Sequence, residues 1–197
     1  MKELKIYVYI VLSAIFLVSC SNKNLDIDVK NNITSIEIDN NISGSIYPFF
    51  MSKNNDKVEK YGNEKASKRL ALYLERNNID IKKNYQKELK KALDNNDFFK
   101  EKIVKNGDYV LASTIEMYGL IYPHIYNDNY KPIVRIKIDM INKKTQELVW
   151  SDSCHISILN SETMSRPFHE YINNPRILEK AFSEVMQIAI SEIISDI

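Results

Sequence analysis

Glycine is scarce in this chain, with four residues in 197. That scarcity leaves no Gly-rich phosphate loop, and no serine sits in a nucleophile-elbow pattern. The three histidines are His124, His155 and His169, and no two of them have metal-ligand spacing. Cys154 and His155 are adjacent, so on a strand they point to opposite faces and cannot share a metal. There are only two cysteines, Cys20 and Cys154. Neither sign of charge dominates: 27 Lys and Arg stand against 26 Asp and Glu, for a net +1. A neutral balance argues against nucleic acid as partner and against an electrostatic grip on a membrane. Acidic residues are plentiful, yet no pair lies in an apolar context that would split two pKa values for acid–base work. The sequence therefore nominates no catalytic residue, no metal site and no cofactor, and the expectation is a protein that is not an enzyme.

Long apolar runs are also missing. The longest, Ile6 to Val18, falls short of the about 20 residues a spanning helix needs. Lys2 and Lys5 precede it and small residues follow, the order of a secretory signal. Its end, Leu17-Val18-Ser19-Cys20, resembles a bacterial lipobox, with Leu at −3, Ser at −1 and then Cys. That resemblance implies a signal peptide over residues 1–19, cleavage before Cys20, and diacylglyceryl and palmitate-type acylation of Cys20. Two or three acyl chains anchor a protein durably, at about 0.8 kcal/mol per buried methylene. In enterobacterial lipoproteins Asp after the Cys retains the protein at the inner membrane. Ser21 stands there instead, so the expected place is the outer membrane, facing the periplasm. With Cys20 committed to lipid, Cys154 has no disulfide partner in the chain and is expected to be a small buried residue.

Beyond the anchor, Ser21 to Asn32 is polar and lacks periodicity, and residues 20–32 read as a lipidated Cys plus flexible tether. Residues 33–197 read as a single globular domain. Ile33 to Asp39 is a strand candidate with Ile36 and Ile38 on one face, followed by a turn at Asn40 to Gly44. Ile46 to Phe50 is apolar but interrupted by Pro48, which suits an edge segment. Ser52 to Lys60 is a polar surface loop. Two helices follow, Asn63 to Arg76 with Ala66, Leu70, Tyr73 and Leu74 on one face, and Asn84 to Leu93 with Tyr85, Leu89, Ala92 and Leu93.

Three strand patterns come next. Tyr109 to Tyr118 is apolar on both faces, as in a strand covered on two sides. In Ile133 to Ile141, Val134, Ile136, Ile138 and Met140 alternate with Arg135, Lys137 and Asp139. After a tight connection at Asn142 to Gln146, Leu148, Trp150, Cys154 and Ile156 share a face. Alternation also turns Asp152 inward, which predicts either a bulge or a buried, hydrogen-bonded carboxylate. A helix opens at Asn174-Pro175 and carries the apolar stripe Leu178, Ala181, Phe182, Val185, Ala189 and Ile193, widened by Met186, Ile188, Ile190 and Ile194. The fold class is α+β: a mostly antiparallel sheet of an N-terminal strand and a three-strand meander, with two helices before the meander and one long C-terminal helix.

Ile121 to Tyr130 joins two strands and is long for a hairpin loop. It is rich in tyrosine, and Tyr122, His124, Tyr126 and Tyr130 are candidate partner-binding residues. The alternative is that the tyrosines pack back on their own domain. A second loop, Asn160 to Asn173, carries Met164, Arg166, Phe168, His169 and Tyr171 and is expected nearby.

Asp108-Tyr109-Val110-Leu111, the run Val134 to Asp139, the strand entry Gln146 to Trp150 and the helix from Ala181, all behind a lipobox, resemble the ABC-type transport auxiliary lipoproteins. The order is similar too to the sheet-and-helix domain of curli-secretion lipoproteins, activators of penicillin-binding proteins and the amino-terminal domain of TolB. The resemblance is architectural and implies an accessory protein of a lipid-transport or envelope-maintenance complex, with a membrane bound through Cys20 and an envelope protein as partner. Regulation of a peptidoglycan synthase, or oligomerisation in an envelope channel, are the alternatives.

Overall fold

The computed structural model describes residues 25–44, 48–51, 64–122, 129–157, 159–160, 163–195 and 197. In chain order the elements are α1 (Ile27–Asn32), β1 (Ile36–Ile38), β2 (Ser43–Gly44), β3 (Phe49–Met51), α2 (Glu64–Arg76), α3 (Ile81–Asn95), β4 (Tyr109–Ile121), β5 (Asn129–Asn142), β6 (Leu148–Ile156), β7 (Arg166–Pro167), α4 (Phe168–Asn173) and α5 (Pro175–Ser195). The chain is α+β, and its seven-stranded sheet is mixed.

Strands β4, β5 and β6 form the antiparallel meander, with Ile115 opposite Ile136 and Ile136 opposite Cys154. Its tight connection is built by Asn142, whose side chain accepts from the Lys144 and Thr145 amides, and by Gln146 at φ 61°. The expectation of a mostly antiparallel sheet needs amending at the other edge. There β1, β2 and β3 lie one after another along β4, each parallel to it. The chain leaves β3, passes through α2 and α3, and returns to enter β4 in the same direction. A helical crossover of this kind produces parallel pairing.

Glycine marks the places where this broken edge touches β4. A Cβ on Gly119 would stand 1.8 Å from the Phe49 carbonyl oxygen, and one on Gly44, which has φ +114°, 2.1 Å from that of Ile115. Gly119→Val is therefore expected to detach β3. The cost should be about 1–3 kcal/mol, the range for forcing atoms into a packed site. Denaturant melts and amide exchange at Phe49 to Met51 would read it. Unchanged protection there would contradict the pairing.

One face of the sheet is covered by helices. The α5 stripe is almost wholly buried, including Leu178, Ala181, Phe182, Val185, Met186, Ala189, Ile190, Ile193 and Ile194. It crosses β5 and β6 and packs beside α3, which contributes Ile81, Tyr85, Leu89 and Leu93. Asp80 caps α3 by accepting from the Lys83 amide. Trp150, Tyr85, Phe99, Phe182 and Tyr171 are the largest side chains fully enclosed. Asp152 points inward and is 3% exposed, and its carboxylate accepts from the Ser153 amide at 2.6 Å. Of the two outcomes open for this residue, the hydrogen-bonded carboxylate holds, while the register shift of β6 falls nearer Leu148.

On the other face, which the Tyr109–Tyr118 pattern suggested would be covered too, no described helix packs. Val110, Ala112 and Thr114 are half-buried, and Glu116 is pushed out where the β4–β5 register shifts between Ile115 and Met117.

The flexible-tether boundary also moves. Asp26 accepts from the Asp28 amide and starts α1, Leu25 and Ile33 are buried on either side of it, and Lys30 Nζ donates to the Ile197 carbonyl oxygen. Leu25 to Asn32, within the stretch read as tether, thus belong to the folded domain. A six-residue helix carries too little periodicity to be seen in the sequence.

Candidate functional site

The residues nominated from the sequence divide sharply. Tyr122 and Tyr130 are 6% and 8% exposed, and both belong to the core. Their rings lie 5.4 Å apart. Phe50 of β3 stacks on Tyr130 at 5.6 Å, and Phe168 of α4 approaches both Tyr130, at 5.0 Å, and Phe50, at 5.3 Å. Tyr171 donates to the carbonyl oxygens of Tyr130 and Met164, each at 3.3 Å. Burial pushes the Tyr171 and Tyr85 hydroxyls far above the ordinary phenol range and that of Tyr118 up to about 12, so these groups stay neutral donors.

Tyr122 and Tyr130 therefore do not offer a projecting surface. They fasten the ends of β4 and β5 to β3 and α4, as in the alternative kept open for the loop. The second loop does come nearby: β7 pairs Pro167 and Arg166 with Asn129 and Tyr130. His124, Tyr126 and Cys20, the residue expected to carry lipid, lie outside the described residues.

Two other features present chemistry to solvent. A cleft of about 990 Å³ lies between the α2–α3 turn and β4, with Leu74, Ile79, Ile115 and Tyr118 toward its floor and Lys68, Glu75, Asp80 and Lys83 at its rim. Among the described residues, the stripe of α5 is buried against the sheet and α3. Cys154 is a buried thiol, 2% exposed. Among the described residues no group of three His, Cys, Asp or Glu side chains is placed to hold a metal. No described helix is long and apolar enough to cross a membrane.

The second feature is the sheet face that no described helix covers. Arg135 and His155 oppose each other across β5 and β6, and Arg135 Nη2 lies 3.2 Å from His155 Nδ1. Next along β5, Lys137 and Asp139 form an ion pair at 2.9 Å. Partial burial, and then the Arg135 charge, hold the His155 pKa below its ordinary value near 6.5. The unfolded chain therefore takes up this proton first as pH falls. The His155 contribution to stability is full above about pH 6.5, is lost as pH drops from there through the folded value, and is flat below it. Thermal melts from pH 8 to pH 5 should show this loss. Arg135→Gln should shrink but not abolish it, since burial remains; an unchanged slope in that variant would remove Arg135 as a cause.

The sequence singled out His155 only for its missing metal partner. The signal that could have found the pair is positional, because Arg135 and His155 meet when two alternating strands are joined by the Asn142–Gln146 turn.

No family model matches the chain, and no curated protein matches it. Similarity to solved structures is remote. A DUF330 protein of Xanthomonas campestris is 11% identical, with a TM-score of 0.44 over 83% of this chain and 85% of that one. PelC of Paraburkholderia phytofirmans, crystallised as a dodecamer, is 12% identical, with a TM-score of 0.38 over 83% and 88%. A point variant of the same PelC dodecamer is 11% identical, with a TM-score of 0.35 over 83% and 86%. At these values the likeness bears no functional weight.

Proposed function

We propose that this chain is a lipid-anchored, non-enzymatic accessory protein of the bacterial envelope, held at the periplasmic side of the outer membrane and acting by binding a partner within a lipid-transport or envelope-maintenance complex. The observation that carries the reading is the short distance from the lipobox to folded structure. Cys20 and Leu25 are separated by Ser21 to Asn24, and the five steps between them reach at most about 18 Å when extended. A lipid on Cys20 would hold the domain against its own membrane, so a partner must come to that surface.

Two buried polar groups, Asp152 and the Tyr171 hydroxyl, are engaged with neighbouring backbone. The buried tyrosines are poor anchors for a partner, which directs attention to exposed apolar groups. Leu72, at the cleft, is 50% exposed, and Leu148, at the entry to β6, is 54% exposed.

Photo-crosslinkers placed at Leu72 and Leu148 in living cells test this directly. The expected result is one specific envelope protein captured from at least one position. Capture of none, with the variants folded and membrane-bound, would contradict the accessory role.

A further inference from the structure

Arg135 and His155 face each other across β5 and β6. A guanidinium has five N–H donors and no acceptor, so the contact at 3.2 Å makes His155 Nδ1 the acceptor. The ring is then neutral and carries its proton on Nε2. Both groups present only donors outward, from neighbouring strands on a face that no described helix covers.

The charged and titratable surroundings do not compensate them. On β5, Lys137 follows at the next position of the same face and is tied to Asp139, four residues from Arg135 and so roughly 13 Å along the strand. On β4, Met117 is the residue opposite Arg135, and Glu116, in the bulge beside it, makes no ion pair with it. On β6, Ser153 lies one same-face position from His155 and opposite Lys137, adding a hydroxyl and no charge. A cation facing an imidazole, with no carboxylate engaged by either, is favourable only while the imidazole stays neutral. It becomes strongly favourable when an anion joins the two.

We propose that the sheet face that no described helix covers holds a phosphate-binding site built on Arg135 and His155, which takes a phosphate or phosphodiester group from solution or from a phospholipid headgroup. Arg135 offers its remaining N–H groups in the fork that matches phosphate oxygens, and His155 supplies Nε2–H. An oxyanion placed there favours the imidazolium, so binding draws a proton onto His155. Affinity rises as pH falls.

The test uses the mature chain carrying Cys20→Ser, so that its outcome is independent of whether Cys20 is acylated. The probe is glycerophosphoglycerol, a phosphodiester whose single charge does not titrate in the working range. Saturation should move the His155 ring resonances and raise that histidine's pKa, with binding about fivefold tighter at pH 5.5 than at pH 7.5, as expected for a bound-state rise of just under one unit. Arg135→Gln should remove the response and Arg135→Lys should restore part of it. In a second arm, vesicles of phosphatidylcholine with and without phosphatidylglycerol are compared for sedimentation of the chain. A response to those containing phosphatidylglycerol, lost in Arg135→Gln, assigns the site to a lipid headgroup, and a response to the soluble probe alone assigns it to a free phosphodiester. Unmoved His155 resonances with both probes, or equal shifts in Arg135→Gln, would overturn the site.

Discussion

Phe182→Asp is expected to leave no soluble folded protein. Phe182 is fully buried in the α5 stripe, and its ring meets Tyr118 edge-on at 6.1 Å. Removing a buried phenyl ring costs about 3–5 kcal/mol on its own. A carboxylate in its place adds either several kcal/mol for a buried ion or the cost of keeping it protonated. Together these are comparable to the roughly 5–15 kcal/mol that holds a domain folded. The loss is not confined to one contact, because Leu178, Val185, Met186 and Ile190 rely on the same seat against β5 and β6. Phe182→Leu keeps an apolar group and should remain folded, destabilised by about 1–3 kcal/mol, as a partly filled cavity would require. Circular dichroism and denaturant melts of the pair separate the outcomes. A Phe182→Asp protein that melts like the parent would mean α5 does not seat on the sheet.

The second large effect concerns location rather than fold. Cys20→Ala should move the chain from the membrane fraction to the soluble fraction, while its melting temperature stays that of the parent domain. The argument is one of chain count. A single acyl chain binds marginally, whereas a diacylglyceryl group with or without a third chain holds in practice irreversibly. Net charge offers no substitute, since the chain carries +1 with Lys2, Lys5 and Glu3 before Cys20. Fractionation after overexpression, with a salt wash, reads the result. Retention of Cys20→Ala in the membrane fraction after the wash would require another anchor.

The parts of the fold visible in the sequence were those written by periodicity over many residues. The α5 stripe from Leu178 to Ile194, the alternation of β5 and β6, and the inward turn of Asp152 all follow from spacing that the structure keeps. The parts that were hidden are short or depend on partners far along the chain. Strands β1, β2 and β3 have three, two and three residues, and their parallel direction is set by the crossover through α2 and α3 rather than by any local signal.

The tyrosine-rich segment was ambiguous for a different reason. An aromatic ring suits a partner surface and a core equally well. Only the approach of Phe50 and Phe168, which are distant in sequence, decides that Tyr122 and Tyr130 are packed. The Arg135–His155 pair shares that dependence on tertiary pairing, although each strand was read correctly.

The central claim is that a lipid on Cys20 holds this domain against an envelope membrane, and intact mass with N-terminal peptide mapping of the mature protein tests it most directly. The account predicts a chain that begins at Cys20 and carries a diacylglyceryl group on its sulfur. An unmodified Cys20, or a mature end elsewhere, would contradict it.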